Sequence, residues 1–182
     1  YYHCDRLGMI VCQDMVNGGG KYRMPVINYL PTLFPKLSLK DSHYSLFSRK
    51  DKAARKQWER ECLETIDYLK FFPSIAIWVP FNEGWGQFDA VRITDIIRKK
   101  DPSRLIDSAS GWFDQNCGDF ISVHNYFRPL SVSAGKWGDR AFSCRSTAAL
   151  PAISKTIPAW KGYSVISVST VLKNLAEPTV NL

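Results

Sequence analysis

An amide and a carboxylate stand side by side at Asn82 and Glu83, directly after the mostly apolar run 75–81. The run is typical of a buried strand. Gly84, Trp85 and Gly86 follow at once, so the carboxylate has an aromatic neighbour and a chain that can turn sharply. A carboxylate at the carboxyl end of a buried parallel strand is well placed for general acid/base chemistry. Glu83 is therefore the first candidate catalytic residue.

Polar residues also stand where the other predicted strands should end. Strands are predicted over residues 9–14, 75–81, 105–108 and 120–123, and helices over 48–69 and 90–100. Strands that alternate with helices indicate βαβ units and a parallel sheet. In a β/α barrel the strand ends converge on one face. A doubly wound sheet alternates in the same way, but no glycine fingerprint supports one. The polar residues at the predicted ends are Asp14, Asn82, Glu83, Asp107, Ser108, His124 and Asn125.

The helix over 48–69 has the clearest pattern in the chain. Ser48 is its predicted N-cap, with Asp51 three residues later. Its apolar residues recur at spacings of three and four. They are Ala54, Trp58, Cys62, Ile66 and Leu69. The preceding segment, 15–47, shows no period, but its apolar content predicts a packed loop.

Composition indicates a globular chain of 182 residues with a net charge of +7. The basic runs at 49–56 and 98–100 fall on predicted helices among acidic residues. They are interpreted as solvated helix faces, not as a nucleic-acid surface. Five cysteines without a CxxC pair, and three histidines, give no metal-ligand spacing, so we expect no metal and no cofactor. Cys12 and Cys62 are predicted to be buried thiols. No segment is long and apolar enough to suggest a membrane span.

Four segments resemble one known family. They are YYHCDRLGMIVCQDM, FFPSIAIWVPFNEGWGQFD, DPSRLIDSASGW and DFISVHNY. Together they are similar to the barrel domain of family 2 glycoside hydrolases, a group that includes β-galactosidases, β-mannosidases and β-glucuronidases. The resemblance covers residues 1–142. It implies a partial (β/α)8 TIM barrel, retaining hydrolysis of O-glycosyl bonds, and a β-glycoside substrate. We expect the first barrel strands to precede Tyr1.

The resemblance also assigns roles to particular residues. Glu83 would be the general acid/base, Asn82 would bind the sugar 2-hydroxyl, and Tyr126 would lie near the nucleophile. Four more residues would line the sugar pocket: Asp14, Trp85, Trp112 and His124. Other interpretations stay open: Glu83 as a surface carboxylate, Asp14 and His124 as structural residues, and Trp112 as packing at the barrel mouth. Because a general acid must be protonated, we expect a raised pKa for Glu83 from its apolar strand and Trp85.

The second carboxylate that a retaining glycosidase needs is missing. Similar enzymes carry it in a segment like SEYGG after the HNY block, but after Asp139 the only acidic residue here is Glu177. Residues 146–149, encoded as AGT ACG GCG GCN after a G, become GAG TAC GGC GGC one base earlier, which reads EYGG. Residues 160–182 can be recoded in the same frame as MEGIFGYKCFDSVEELSGAYRKL. We infer a frameshift near 142–144, which the nucleotide sequence tests.

Residues 143–182 are accordingly expected to be an out-of-frame tail without its own fold, and the chain as written is expected to be inactive. A divergent natural C-terminus is the alternative for the tail. For function the alternatives are a non-catalytic carbohydrate-binding remnant and an unrelated α/β interaction domain. The sequence leaves open the sugar, the oligomeric state and the compartment, whether secreted, periplasmic or cytoplasmic.

Overall fold

The computed structural model describes residues 1–34, 37–126 and 139–147, with side chains in the last range as far as Ser143. Most of the expected tail therefore lies outside the described residues. The helices are α1 (Tyr2–Arg6), α2 (Leu30–Leu33), α3 (Lys52–Leu69) and α4 (Ala90–Lys100), and a π-helical turn, Pro25–Tyr29, leads into α2. The strands are β1 (Val11–Asp14), β2 (Ile75–Val79), β3 (Phe81–Asn82), β4 (Leu105–Ile106), β5 (Ala109–Ser110), β6 (Phe120–Asn125) and β7 (Ala141–Thr147).

The strands form small parallel sheets in a mixed α/β arrangement. β1 pairs with β2 and β2 with β4, β3 pairs with β5, and β6 pairs with β7, all in parallel. β5 also lies against β6. The predicted single strand over 75–81 is divided at Pro80, which has no N–H to donate to a neighbouring strand. When β2 and β3 are counted as one interrupted strand, and β4 and β5 as another, strands that neighbour each other in space follow one another along the chain.

The prediction that Asp107 and Ser108 end a strand is wrong. Both lie between β4 and β5 and are only 1% exposed. The Asp107 N–H donates to the Trp78 carbonyl at 2.9 Å, so the chain stays beside β2 and strand pairing resumes at Ala109. Strand pairing therefore continues to Ser110, beyond the strand end that the sequence pattern predicts at Ser108.

Apolar side chains are buried on both faces of the parallel strands. On one face α3 and α4 cover the strands, and Trp58 stacks on Phe81 with ring centroids 4.9 Å apart. On the other face Ile77 and Val79 pack with Phe120. A sheet buried on both faces fits the near-continuous apolar run over 75–81.

The predicted apolar face of α3 is confirmed, but its predicted start is wrong. Trp58, Cys62, Ile66 and Leu69 are buried. The helix begins at Lys52, and Asp51 is the N-cap, since its carboxylate accepts from the backbone N–H of two residues in the first turn. Ser48 has a φ of 59° and its hydroxyl donates to a loop carbonyl, so it cannot begin the helix.

The segment 15–47 is packed only in part, since Leu33 and Phe34 are exposed, and its two helical turns were not predicted. Ile27 and Phe47 are fully buried and pack with Phe113. Asp41, also buried, accepts from the Ala90 N–H at 2.8 Å and so caps α4 from outside the helix. Within the described part of the chain, no helix has the length and apolarity needed to cross a membrane.

Candidate functional site

Glu83 lies directly after β3, at the carboxyl edge of the parallel strands. The Glu83 N–H donates to the Ser110 carbonyl at 2.8 Å, which continues the pairing of β3 with β5 by one more bond. The backbone then turns through positive φ values at Glu83 (55°), Gly84 (69°) and Gly86 (68°). A non-glycine residue in this region costs about 1–3 kcal/mol and persists only where its surroundings fix it. The strain falls on the candidate catalytic residue.

Two side chains, His124 and Tyr126, hold the Glu83 carboxylate. His124 Nδ1 lies 2.8 Å from Oε1, and the Tyr126 hydroxyl donates to the same oxygen. The neighbouring Trp85 side chain also favours the ionised carboxylate. The Glu83 side chain is 16% exposed and that of His124 only 2%. The carboxylate is thus largely enclosed by polar donors while part of it still reaches solvent.

His124 is fixed on both sides. Its Nε2 lies 3.1 Å from Ser110 Oγ, and a Cβ at Gly111 would lie 2.4 Å from the imidazole, so only glycine fits there. An ionised Glu83 requires Nδ1–H to donate, which leaves Nε2 of a neutral ring to accept from the serine hydroxyl. The imidazole is therefore oriented by β5 toward Glu83.

The pKa of Glu83 is lowered, so the expectation of a raised pKa is wrong in direction. Burial, the largest single influence, raises this pKa, as the sequence argument assumed. The hydrogen bonds from His124 and Tyr126, together with the neighbouring Trp85 side chain and the field of His124, outweigh burial because they favour the ionised form. Glu83 is a carboxylate at neutral pH.

The remaining predicted site residues differ in placement. Asn82 is partly buried and pairs in register with Ser110, one residue before Glu83. Asp14 is exposed at the end of β1, opposite Val79. Trp112 packs with Trp85 against the buried cluster of Ile27, Phe47 and Phe113, which agrees with its packing interpretation.

Arg49 is a residue of this region that the sequence interpretation misplaced. It was predicted on a solvated face, yet it is 4% exposed and its Nε–H donates to the Gly86 carbonyl at 2.6 Å. Gln87, fully buried, was not predicted either. Its amide donates to Asp41 and to the Phe113 carbonyl behind the Glu83 turn. The only sequence signal for Gln87 was its place beside the NEGWG block.

The described residues contain no group of three or more His, Cys, Asp or Glu side chains able to hold a metal ion. A comparison with models of known protein families found no match. A comparison with curated proteins found none either. What the site offers chemically is an ionised carboxylate, held by an imidazole and a phenol, with an indole beside it, at the carboxyl edge of parallel strands.

Proposed function

We propose that the chain derives from a retaining glycoside hydrolase of family 2 that acts on a β-glycoside, with Glu83 as its general acid/base. The observation that carries the proposal is the convergence of Glu83, His124, Tyr126 and Trp85 at one strand edge. These residues come from two sequence blocks about 40 positions apart, and both blocks resemble the family. With β2–β3 and β4–β5 each counted as one interrupted strand, each strand lies beside the next in the chain, as it would in a (β/α)8 barrel.

In this mechanism Glu83 would protonate the leaving-group oxygen and then activate water in the second half-reaction. The second half-reaction needs the ionised form, which the site already favours. The first half-reaction needs a proton on Glu83, and it needs a second carboxylate about 5–5.5 Å away as nucleophile. Since no acidic residue except Glu177 follows Asp139, we expect no turnover from the chain as written.

A small carboxylate in solution can replace the missing nucleophile, which gives a direct test. Formate oxygen would attack the anomeric carbon, the C1–O bond to the aryl group would break, and the phenolate would leave. With 2,4-dinitrophenyl β-galactoside the departing group needs no proton. With phenyl β-galactoside it needs one from Glu83.

The expected result is formate-dependent release of both phenols at pH 5 by the full 182-residue chain. The Glu83→Gln variant should lose release of phenol by about 100-fold or more, the lower end of a general acid's contribution, while keeping release of dinitrophenolate. Equal loss on both substrates would assign Glu83 to binding, and no loss on the phenyl substrate would remove it from the acid role. β-Mannoside and β-glucuronide analogues in parallel would identify the sugar.

A non-catalytic carbohydrate-binding role is the second candidate, and the missing second carboxylate favours it. Binding would change the indole signals of Trp85 and Trp112 in NMR spectra as methyl β-galactoside is added. Changed indole signals without formate-dependent release would support this second role. Neither effect with any of the three sugars would contradict both candidates and favour an interaction domain.

A further inference from the structure

The turn that carries Glu83 has a buried contact of unusual chemistry. Arg49 is 4% exposed, and its guanidinium lies over the rings of Trp58 and Phe88, with its central carbon 5.7 Å and 5.3 Å from their centroids. Burial lowers the pKa of the Arg49 guanidinium. Among the described residues no carboxylate forms an ion pair with Arg49, so a backbone carbonyl and two aromatic faces compensate its charge.

A buried cation without a carboxylate partner is costly for stability, and an apolar side chain would fill the same volume more cheaply. The Arg49 Nη2 atom is also buried without a hydrogen-bond partner. What Arg49 does make is one short bond, from Nε–H to the Gly86 carbonyl at 2.6 Å. Stability therefore does not account for an arginine here, whereas its bond to the Glu83 turn gives a specific reason for one.

Arg49 and the turn after Glu83 are closely packed against the loop that contains Gly18–Gly20. A Cβ at Gly86 would lie 2.4 Å from the Gly18 carbonyl oxygen and 2.8 Å from Arg49 Nε. A Cβ at Gly19 would lie 2.6 Å from the Ser48 carbonyl oxygen, whose partner is the Gly20 N–H at 2.7 Å. The Gly18–Gly20 run thus lets one loop press on Arg49 and on the turn after Glu83.

We propose that Arg49 is a positioning residue for Glu83. By holding the Gly86 carbonyl it fixes the far end of the strained Glu83–Gly86 turn, and the near end is fixed by the bond from Glu83 N–H to Ser110. With both ends fixed, the carboxylate stays against His124 and Tyr126. The catalytic meaning of this role rests on the proposed glycosidase function, but the geometry is measured without any activity.

A matched pair of variants isolates the bond. In Arg49→Gln the amide nitrogen replaces Nε and can still donate to Gly86, whereas in Arg49→Met a methyl group occupies that position. Both variants are neutral, so they differ mainly in the donor. The same pair at Arg104, whose Nε–H donates to the Ile75 carbonyl at 2.9 Å at the start of β2, is the control for loss of an arginine–carbonyl bond elsewhere.

Two NMR measurements on the full chain read out the position of Glu83. Hydrogen exchange of the Glu83 amide should be about tenfold faster in Arg49→Met than in Arg49→Gln, the factor for a lost bond of about 1.4 kcal/mol. The carboxyl ¹³C titration of Glu83 should move toward that of an ordinary glutamate only in Arg49→Met. Both Arg104 variants should leave the Glu83 titration unchanged.

The proposal is overturned if the Gln and Met variants at 49 give the same exchange and titration, or if the Arg104 variants change Glu83 equally. Should Arg49→Met fail to fold, Arg49→Gln with wild-type Glu83 signals supports the donor role, and Arg49→Gln with altered signals contradicts it. Failure of the glycosidase proposal would appear in the formate assay and leave these results intact.

Discussion

Removing the Tyr126 hydroxyl tests whether Glu83 is held as an ionised group. Tyr126→Phe keeps the ring and deletes one donor to Glu83 Oε1. A hydrogen bond to a charged group contributes about 1.5–3 kcal/mol, against about 0.5–1.5 for a neutral pair. We therefore expect a loss of about 2 kcal/mol in the free energy of unfolding at pH 7, where Glu83 is ionised.

The loss should depend on pH with a definite sign. Because the folded pKa of Glu83 is depressed, its stabilising effect is present above the unfolded pKa and disappears as the pH falls through the folded pKa. Once Glu83 is protonated, the Tyr126 bond is a neutral one and its deletion should cost about 1 kcal/mol. The cost of the variant should thus fall by about 1 kcal/mol between pH 7 and a pH below the folded pKa of Glu83.

Urea unfolding followed by tryptophan fluorescence measures these values. A double-mutant cycle with Glu83→Gln should give a coupling of about 1 kcal/mol at pH 7. Tyr44→Phe is the control, since that hydroxyl donates at 2.9 Å to Asp89 in a more exposed setting, and its effect should be less than half as large. An equal cost at both pH values, or no coupling to Glu83, would refute the argument.

Three further outcomes follow from single contacts. Gly84→Ala should cost about 3 kcal/mol in urea unfolding, because its φ is 69° and an added Cβ would lie 2.5 Å from an aromatic ring; Gly8→Ala, with a φ of 64° and open space, should cost about 1–2 kcal/mol. Burial raises the pKa of Asp41, so the stability that its protonated form contributes is lost as the pH rises through the folded pKa. Because asparagine stays neutral, Asp41→Asn should gain thermal stability relative to wild type between pH 4 and pH 7. Burial raises the pKa of Cys62 to about 12, so iodoacetamide at pH 8 should label it only in unfolded protein, as mass spectrometry would show.

The sequence pattern correctly predicted those features of the helices that depend on residues close together in the chain. The bounds of α4 are those predicted, and the buried face of α3 follows the spacing of its apolar residues. The start of α3 was wrong because Ser48 is tied to a loop 27 residues earlier in the chain. Arg49 was predicted to be exposed because its neighbours in the sequence are charged, but it contacts Trp58, Phe88 and Gly86. Contacts between distant segments override a local pattern of charge.

For the candidate site, too, one part was predicted from the sequence and another part was not. The rule that parallel strand ends meet predicted that Glu83 and His124 would lie together, and they do. The direction of the Glu83 pKa was missed because only its own strand and Trp85 were considered. The deciding donors are His124 in β6 and Tyr126 directly after it, about 40 residues later in the chain, and no local pattern shows which way they point.

The depressed pKa of Glu83 and the missing second carboxylate are connected. A neighbouring carboxylate raises the pKa of its partner, so a complete retaining site would push Glu83 toward the protonated form that a general acid needs. In the described part of the chain, the side chains that hydrogen-bond to the Glu83 carboxylate are donors. In β7 Cys144 pairs with Val123 and Thr147 with Asn125, so the backbone of Arg145 and Ser146 lies opposite His124 at a bulge. Ser146→Glu should therefore raise the Glu83 pKa in a ¹³C titration and give release of phenol without formate, while Ser146→Gln should do neither. If Ser146→Glu leaves the Glu83 titration unchanged, the end of β7 is not the place of the missing nucleophile.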